Sequence, residues 1–446
     1  MTAPTALQLR AAEIAEALAT RLADPAGVAR ICAAEIDRPA AGVDRPWAST
    51  SLADGYPGIA LLFGELAVHD SSYRAVLRGH VSAAVGELAV TAPPPTEGLH
   101  SGLLGVGLCA RSARSATGDF QNLVRSLDGH IVAGVLAKAS AEVARCDQGI
   151  AGTTFGAYDV IGGLAGASRY LVGAGDDPRC AEAAEAALEA LVRITEPVPH
   201  DGTVVPGWWV HHPATASEVA AGQAGSHLNL GLAHGAAGIL AALCLAQQHG
   251  FEVAGQRTAV ERLADWLVGW RAAGADGAQW PNTVSLAEEL DGSSRSLARP
   301  DRRAWCYGTP GIARALQLAG TATGRADLTE LAVSALVAAV PLHLTRHLSG
   351  DASLCHGLAG LLVICEEMRQ SRPDPRLSAL STALAEALVD DFRPESAFGY
   401  TYDAAPQEVA ANRPGLLMGT AGVALSLLRF ATGARAGAWP QALLLC

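Results

Sequence analysis

Apolar residues in this chain fall into two kinds of stretch. The first kind is apolar nearly all round: IALLFGEL after Gly58, ILAALCLAQQ after Gly238, IARALQLAG after Gly311 and VALSLLRF after Gly422. Ala and Leu dominate and β-branched runs are few, so these stretches predict helices. A helix without a polar face belongs inside an assembly. The second kind is amphipathic, as in residues 181–194, 257–270 and 377–392, and predicts an outer layer of helices. The first 25 residues also predict an amphipathic helix ending near Pro25. They lack the basic start and continuous apolar stretch of a signal peptide.

Each inner stretch follows the phrase Gly-x-x-Gly. It occurs seven times, at Gly55/Gly58, Gly102/Gly105, Gly163/Gly166, Gly235/Gly238, Gly308/Gly311, Gly357/Gly360 and Gly419/Gly422. Successive first glycines are 47, 61, 72, 73, 49 and 62 residues apart. Each interval has room for two helices and a variable loop. The fold class expected is therefore all-α, a ring of seven helical hairpins in two layers, where each unit packs on its neighbours. We read residues 1–446 as one domain. Three intervals exceed what two helices need. Residues 110–156 leave room for a small inserted subdomain, although no clear strand pattern is visible there. Residues 195–229 predict a long loop ordered by Trp208 and Trp209, and 274–303 a second one anchored by Trp280 and Pro281.

Numbering each phrase from its first glycine reveals the chemistry. Cys306 and Cys355 both stand at minus two, and His234 and His356 both at minus one. Equivalent positions of a closed ring share one end, so these residues are expected to converge. Two Cys and the adjacent His supply three donors of the type zinc prefers, and three protein ligands leave a fourth position open, as in catalytic sites. A Cys before a helix is also an ordinary small buried hydrophobe. The shared repeat position favours the metal reading for Cys306 and Cys355. For His234 a capping or core role stays open. His100 (minus two) and Asp54 (minus one) face the same end, as substrate-facing groups or, for Asp54, a helix cap. His211 and His212 lie in the long loop, as surface histidines or peptide contacts.

Composition narrows the function. Half of the 446 residues are hydrophobic, 17% are charged, and the net charge is -12. That excludes disorder and a basic nucleic-acid surface. No segment has the roughly 18 uncharged apolar residues of a membrane span. The nine cysteines are scattered and odd in number, which suits a reducing cytoplasm better than a disulfide framework.

The phrases YDVIGGLAG (158–166), NLGLAHGAAG (229–238), AWCYGTPG (304–311), LCHGLAG (354–360) and GLLMGTAG (415–422), with PGWWVHHP before the second, resemble the lanthionine synthetase C family over about residues 50–430. The resemblance implies a double-layered α/α toroid with seven inner hairpins. It also implies a zinc site of Cys306, Cys355 and His356, and further active-site residues Asp159, His234, Arg302 and Tyr307. The implied reaction adds a peptide Cys thiolate to a dehydroalanine or dehydrobutyrine of the same peptide, giving a lanthionine or methyllanthionine ring. His234 is then the proton carrier. Asp159 orients or charge-pairs, or else caps a helix. Arg302 stabilises the enolate oxygen, with Arg303 as its neighbour and competitor. Tyr307 packs in the core or hydrogen-bonds to the site. The implied partners are a dehydrated precursor peptide, a separate dehydratase, because the toroid begins near residue 50, and a modification or export complex. The alternatives are addition of an external thiol such as glutathione, and a non-catalytic scaffold. A prenyltransferase-type toroid would need a basic diphosphate pocket, and no Lys/Arg cluster lies near the zinc phrases.

Overall fold

The structure is a computed structural model that describes residues 3–36, 47–90, 98–212, 225–274, 277–291, 303–340, 351–402, 412–433, 437 and 439–446. All seven glycine phrases fall inside it, and each does the same thing. The inner helices run Tyr56–His69, Leu103–Thr117, Leu164–Val172, Ala236–Gln248, Thr309–Thr323, Leu358–Ser371 and Thr420–Thr432. Every one begins on the residue after the first glycine of its pair, which is its N-cap. Six of these caps are in extended backbone; Gly308 alone has a positive φ, +87°. At five of the other six the need for glycine is space. A Cβ at Gly55, Gly163, Gly235, Gly357 or Gly419 would collide with backbone atoms of the preceding turn. The second glycine has one recurring reason as well. A Cβ at Gly58, Gly166, Gly238, Gly311 or Gly422 would strike the carbonyl of the residue at minus three, namely Leu52, Val160, Leu232, Trp305 or Leu416.

The chain divides into two compact units. One comprises residues 1–95, 100–127 and 340–440. Its inner helices are buried over long unbroken runs, such as Tyr56–Gly64 and Leu358–Met368. Its outer helices bury single stripes. Arg74–Val90 buries Leu77, His80, Val81 and Ala84, at the i, i+3, i+4, i+7 spacing of an amphipathic helix. The N-terminal helix Ala6–Leu22 starts at a Thr5/Gln8 capping box and ends three residues before Pro25.

The other unit comprises residues 96–99, 128–339 and 441–446. Its outer helices are Pro178–Ile194, Gln256–Gly269 and Ala326–Ala339. Short antiparallel ribbons order the long loops: Val198–His200 with Thr203–Val205, His227–Asn229 with Thr283–Ser285, and Ala272–Gly274 with Gly277–Gln279. Trp208, Trp209 and Trp280 are buried, and the Trp280 indole donates to the Leu267 carbonyl at 2.6 Å. The expected aromatic anchors are thus in place. Residues 441–446 are threaded into this unit. Arg314 Nε donates to the Leu445 carbonyl at 2.9 Å, Arg169 Nε to that of Cys446 at 2.9 Å, and the Trp305 indole to that of Leu443 at 3.0 Å.

Residues 110–156 hold the end of helix Leu103–Thr117, the whole of helix Gln121–Asp147 and the start of Phe155–Tyr158. No strand occurs there, as the sequence pattern had suggested. Among the described residues, no helix is long and apolar enough to cross a membrane.

Candidate functional site

The turns that precede the inner helices are tied to one another through their backbones. In one unit the Ala233 N–H donates to the Cys306 carbonyl at 3.1 Å, and the Val160 N–H to the Ala233 carbonyl at 3.0 Å. In the other, the Cys355 N–H donates to the Leu417 carbonyl at 2.9 Å and the Leu417 N–H to the Ala53 carbonyl at 2.9 Å. The Leu52 and Ala53 N–H groups then reach the His100 carbonyl at 3.0 and 3.4 Å. Ala53, His100, Ala233, Cys306, Cys355 and Leu417 all stand at minus two. The repeat position read from sequence is therefore a hydrogen-bonded position in space, and two of its occupants are the candidate thiols.

Cys306 is buried, beside a Trp305 that is also buried. Cys355 is half-buried and His356 is exposed. Their turn is shaped by short polar side chains, since Asp351 Oδ1 accepts from the Ser353 N–H at 2.8 Å and Ser353 Oγ from the His356 N–H at 3.3 Å. Such Asx and Ser turns fix backbone that has left regular structure. Other cysteines behave as plain hydrophobes. Burial pushes the Cys109 thiol up to about 12 and those of Cys244 and Cys365 higher still, so they stay protonated.

Asp159 and His234 meet. Asp159 follows the short helix Phe155–Tyr158, and its side chain is almost wholly buried. Its Oδ2 lies 2.6 Å from His234 Nδ1, while Oδ1 accepts the Gly162 N–H at 2.8 Å. Asp159 thus pairs with a histidine and also pins the turn before the next inner helix, whose N-cap is Gly163 and not Asp159. An ionised carboxylate only accepts, so Nδ1 of the ring carries hydrogen and Nε2 is left for other chemistry. The His234 side chain is 31% exposed, which removes the core reading, and the cap of its helix is Gly235.

Tyr307 stands beside this pair, its ring centroid 6.0 Å from that of His234. Its hydroxyl accepts from Asn229 Nδ2 at 3.1 Å. Gly231 makes room for the ring, since a Cβ there would lie 2.7 Å from Tyr307 Cδ1. Burial holds the neighbouring Tyr158 hydroxyl well above the usual tyrosine range, helped by the Asp159 charge. His100 is buried and Asp54 half-buried. Arg302 lies outside the described residues, and Arg303 is half-buried. His211 is exposed; His212 is half-buried, with its ring 5.2 Å from Phe155 and edge-on to it.

Sequence reasoning missed Asn229, Phe155 and His227. Asn229 is fully buried and also accepts the Gly231 N–H at 2.9 Å; its place in NLGLAHG was the available signal. The Phe155 ring lies 5.5 Å from His234 and 5.2 Å from His227, and nothing in its local pattern marks it.

Residues 46–444 match the family described as lanthionine synthetase C-like protein. The chain belongs to that family. It is 26% identical over 404 residues to nisin biosynthesis protein NisC of Lactococcus lactis subsp. lactis, covering 89% of this chain and 88% of that one. Among solved structures it is similar to one titled nisin cyclase, with a TM-score of 0.74 and 24% identity, covering 94% of this chain and 96% of that one. The fold is accordingly the α/α toroid expected from the sequence.

Proposed function

We propose that this chain is a zinc-dependent cyclase that closes thioether rings in a dehydrated peptide. The observation that carries the reading is a donor set. Cys306 and Cys355 share the minus-two position of consecutive repeats and His356 follows Cys355, which supplies two thiols and an imidazole, the donor types zinc prefers. Zinc held there would lower the pKa of a peptide thiol, ordinarily ~8.5, and keep it as thiolate near neutral pH.

The residues of the chain then have defined tasks. The substrate sulfur, freed of its proton, forms a bond to the β-carbon of dehydroalanine or dehydrobutyrine. The alkene electron pair moves toward the adjacent carbonyl, giving an enolate. Nε2 of His234 is the group that carries the proton to the α-carbon, because Asp159 fixes its ring and stabilises the imidazolium form. Tyr307, held by Asn229, lines the same place. Arg302 is assigned the enolate oxygen. The relative's name, nisin biosynthesis protein, supports a peptide substrate. We further propose that 1–446 acts as one domain in the cytoplasm, after a separate dehydratase and within a modification or export complex.

Cyclisation leaves mass unchanged, so the test counts thiols. A dehydrated peptide with one Cys is incubated with enzyme and zinc, then alkylated. Loss of alkylation with zinc present, and its return with chelator, is the expected result. Full alkylation under all conditions overturns the reading. Thioether formation on a Cys-free dehydrated peptide supplied with glutathione would move the activity to external thiols.

A further inference from the structure

Of the 32 Lys and Arg residues in this chain, one is lysine: Lys138. It sits on helix Gln121–Asp147, and its Nζ donates to two backbone carbonyls, a short bond to Gly156 and one of 3.1 Å to Gly162. Those carbonyls lie three residues before and three residues after Asp159. One ammonium therefore bridges the two ends of the segment that presents the carboxylate to His234. One helical turn further on, on the same face, Glu142 Oε2 accepts from Thr153 Oγ1 at 3.2 Å. The same helix face thus holds residues 153–162 at three points.

The choice of lysine has a physical reason. Its three N–H groups spread tetrahedrally from a single atom, so two carbonyls that converge from different directions can share it. A guanidinium offers donors in one plane, in a rigid fork. Everywhere else this chain uses arginine.

We propose that Lys138 is a positioning residue for the Asp159–His234 pair, clamping the 156–162 segment so that Asp159 meets Nδ1 of His234 at hydrogen-bonding distance. Lys138 makes no contact with the reacting atoms in this scheme. The proposal rests on the reading of His234 as proton carrier. Groups that orient metal-ligating side chains commonly matter by about 10–100-fold, and a clamp on a proton-carrying pair is expected to act at the lower end of that scale.

The test compares wild type, Lys138→Met and Lys138→Arg in the full chain. The first readout is the low-field proton NMR signal of the Asp159–His234 hydrogen bond, assigned by its absence in Asp159→Asn. The second is kcat and KM for ring closure. Lys138→Met should broaden or shift that proton and lower kcat by about 10-fold, with KM within twofold and the thermal midpoint little changed. Lys138→Arg, which keeps the charge and one donor direction, should fall between the two. A Lys138→Met enzyme with wild-type proton signal overturns the clamp, whatever its rate. So does a shifted proton with unchanged kcat. If Lys138→Met does not fold, a wild-type signal in Lys138→Arg overturns it. If wild type closes no ring, the cyclase reading falls, and the proton signal alone decides the clamp.

Discussion

Asp159 Oδ2 and His234 Nδ1 are 2.6 Å apart, although 75 residues separate them in sequence. Each belongs to the turn before a different inner helix, and the Val160 N–H donation to the Ala233 carbonyl ties those turns together next to the pair. The hydrogen bond is thus set by backbone and not by two flexible side chains finding one another.

Asp159→Asn should keep the fold and lose turnover. An amide in place of the carboxylate no longer stabilises imidazolium, and it can present N–H to Nδ1 and reverse the tautomer. General acid–base groups contribute about 10²–10⁴-fold, so kcat should fall by at least 100-fold in Asp159→Asn and in His234→Asn. The double variant should be little worse than either alone, since the two act as a unit. Steady-state kinetics on the three proteins checks this; multiplicative losses would separate their roles.

Metal content should distinguish the cysteines. Wild type should carry about one zinc per chain, and Cys306→Ala and Cys355→Ala almost none. Cys244→Ala should keep its zinc and lose only packing, about 1 kcal/mol. Elemental analysis beside chemical denaturation reads both effects. Zinc retained by Cys355→Ala would remove that residue from the ligand set.

His80 gives the fold an acid limit. Its Nε2 donates to the Leu22 carbonyl at 2.8 Å, its ring stacks on Phe63, and burial lowers its pKa from 6.5 to about 4. Between those values the unfolded chain binds the proton and the folded chain refuses it. Stability contributed by neutral His80 is therefore complete above pH 6.5 and is lost as pH falls toward 4, by an amount of the order of 3 kcal/mol. His80→Gln should flatten denaturation midpoints over that range; an unchanged slope would assign it to other groups.

Deleting residues 441–446 should destabilise sharply. Arg169 and Arg314 are 4% and 2% exposed and donate to carbonyls of that segment. Without them two buried guanidinium groups lose acceptors, an effect of about 3–5 kcal/mol for a broken buried charge interaction. Calorimetry should show a midpoint lowered by several degrees.

The inner layer was legible because one residue type marks it. Glycine is needed where backbones touch, so the seven helix starts stand out without any contact being known. The same frame singled out Cys306, Cys355, His356 and His234 as the candidates on which the proposed site rests. It was blind to groups whose partners are distant in sequence. Asn229 acts on Tyr307, Lys138 acts on carbonyls 18 and 24 residues away, and Leu443 accepts from Trp305 across 138 residues. No local periodicity encodes such pairings. The Asp159 role was half visible, since the sequence showed an acid before a helix but not which of its oxygens was committed to the turn.

The ladder of minus-two residues has a meaning for change in this protein. Each rung carries its own side chain but borrows its position from the neighbouring rung. Ala53 and Leu417 on the rungs that lead to Cys355, and Ala233 on the rung beside Cys306, are in that sense vacant sockets, each tied by backbone to a thiol's own turn. New donors could be installed there one at a time without redrawing the scaffold, and a family built this way can revise its chemistry while leaving its architecture alone.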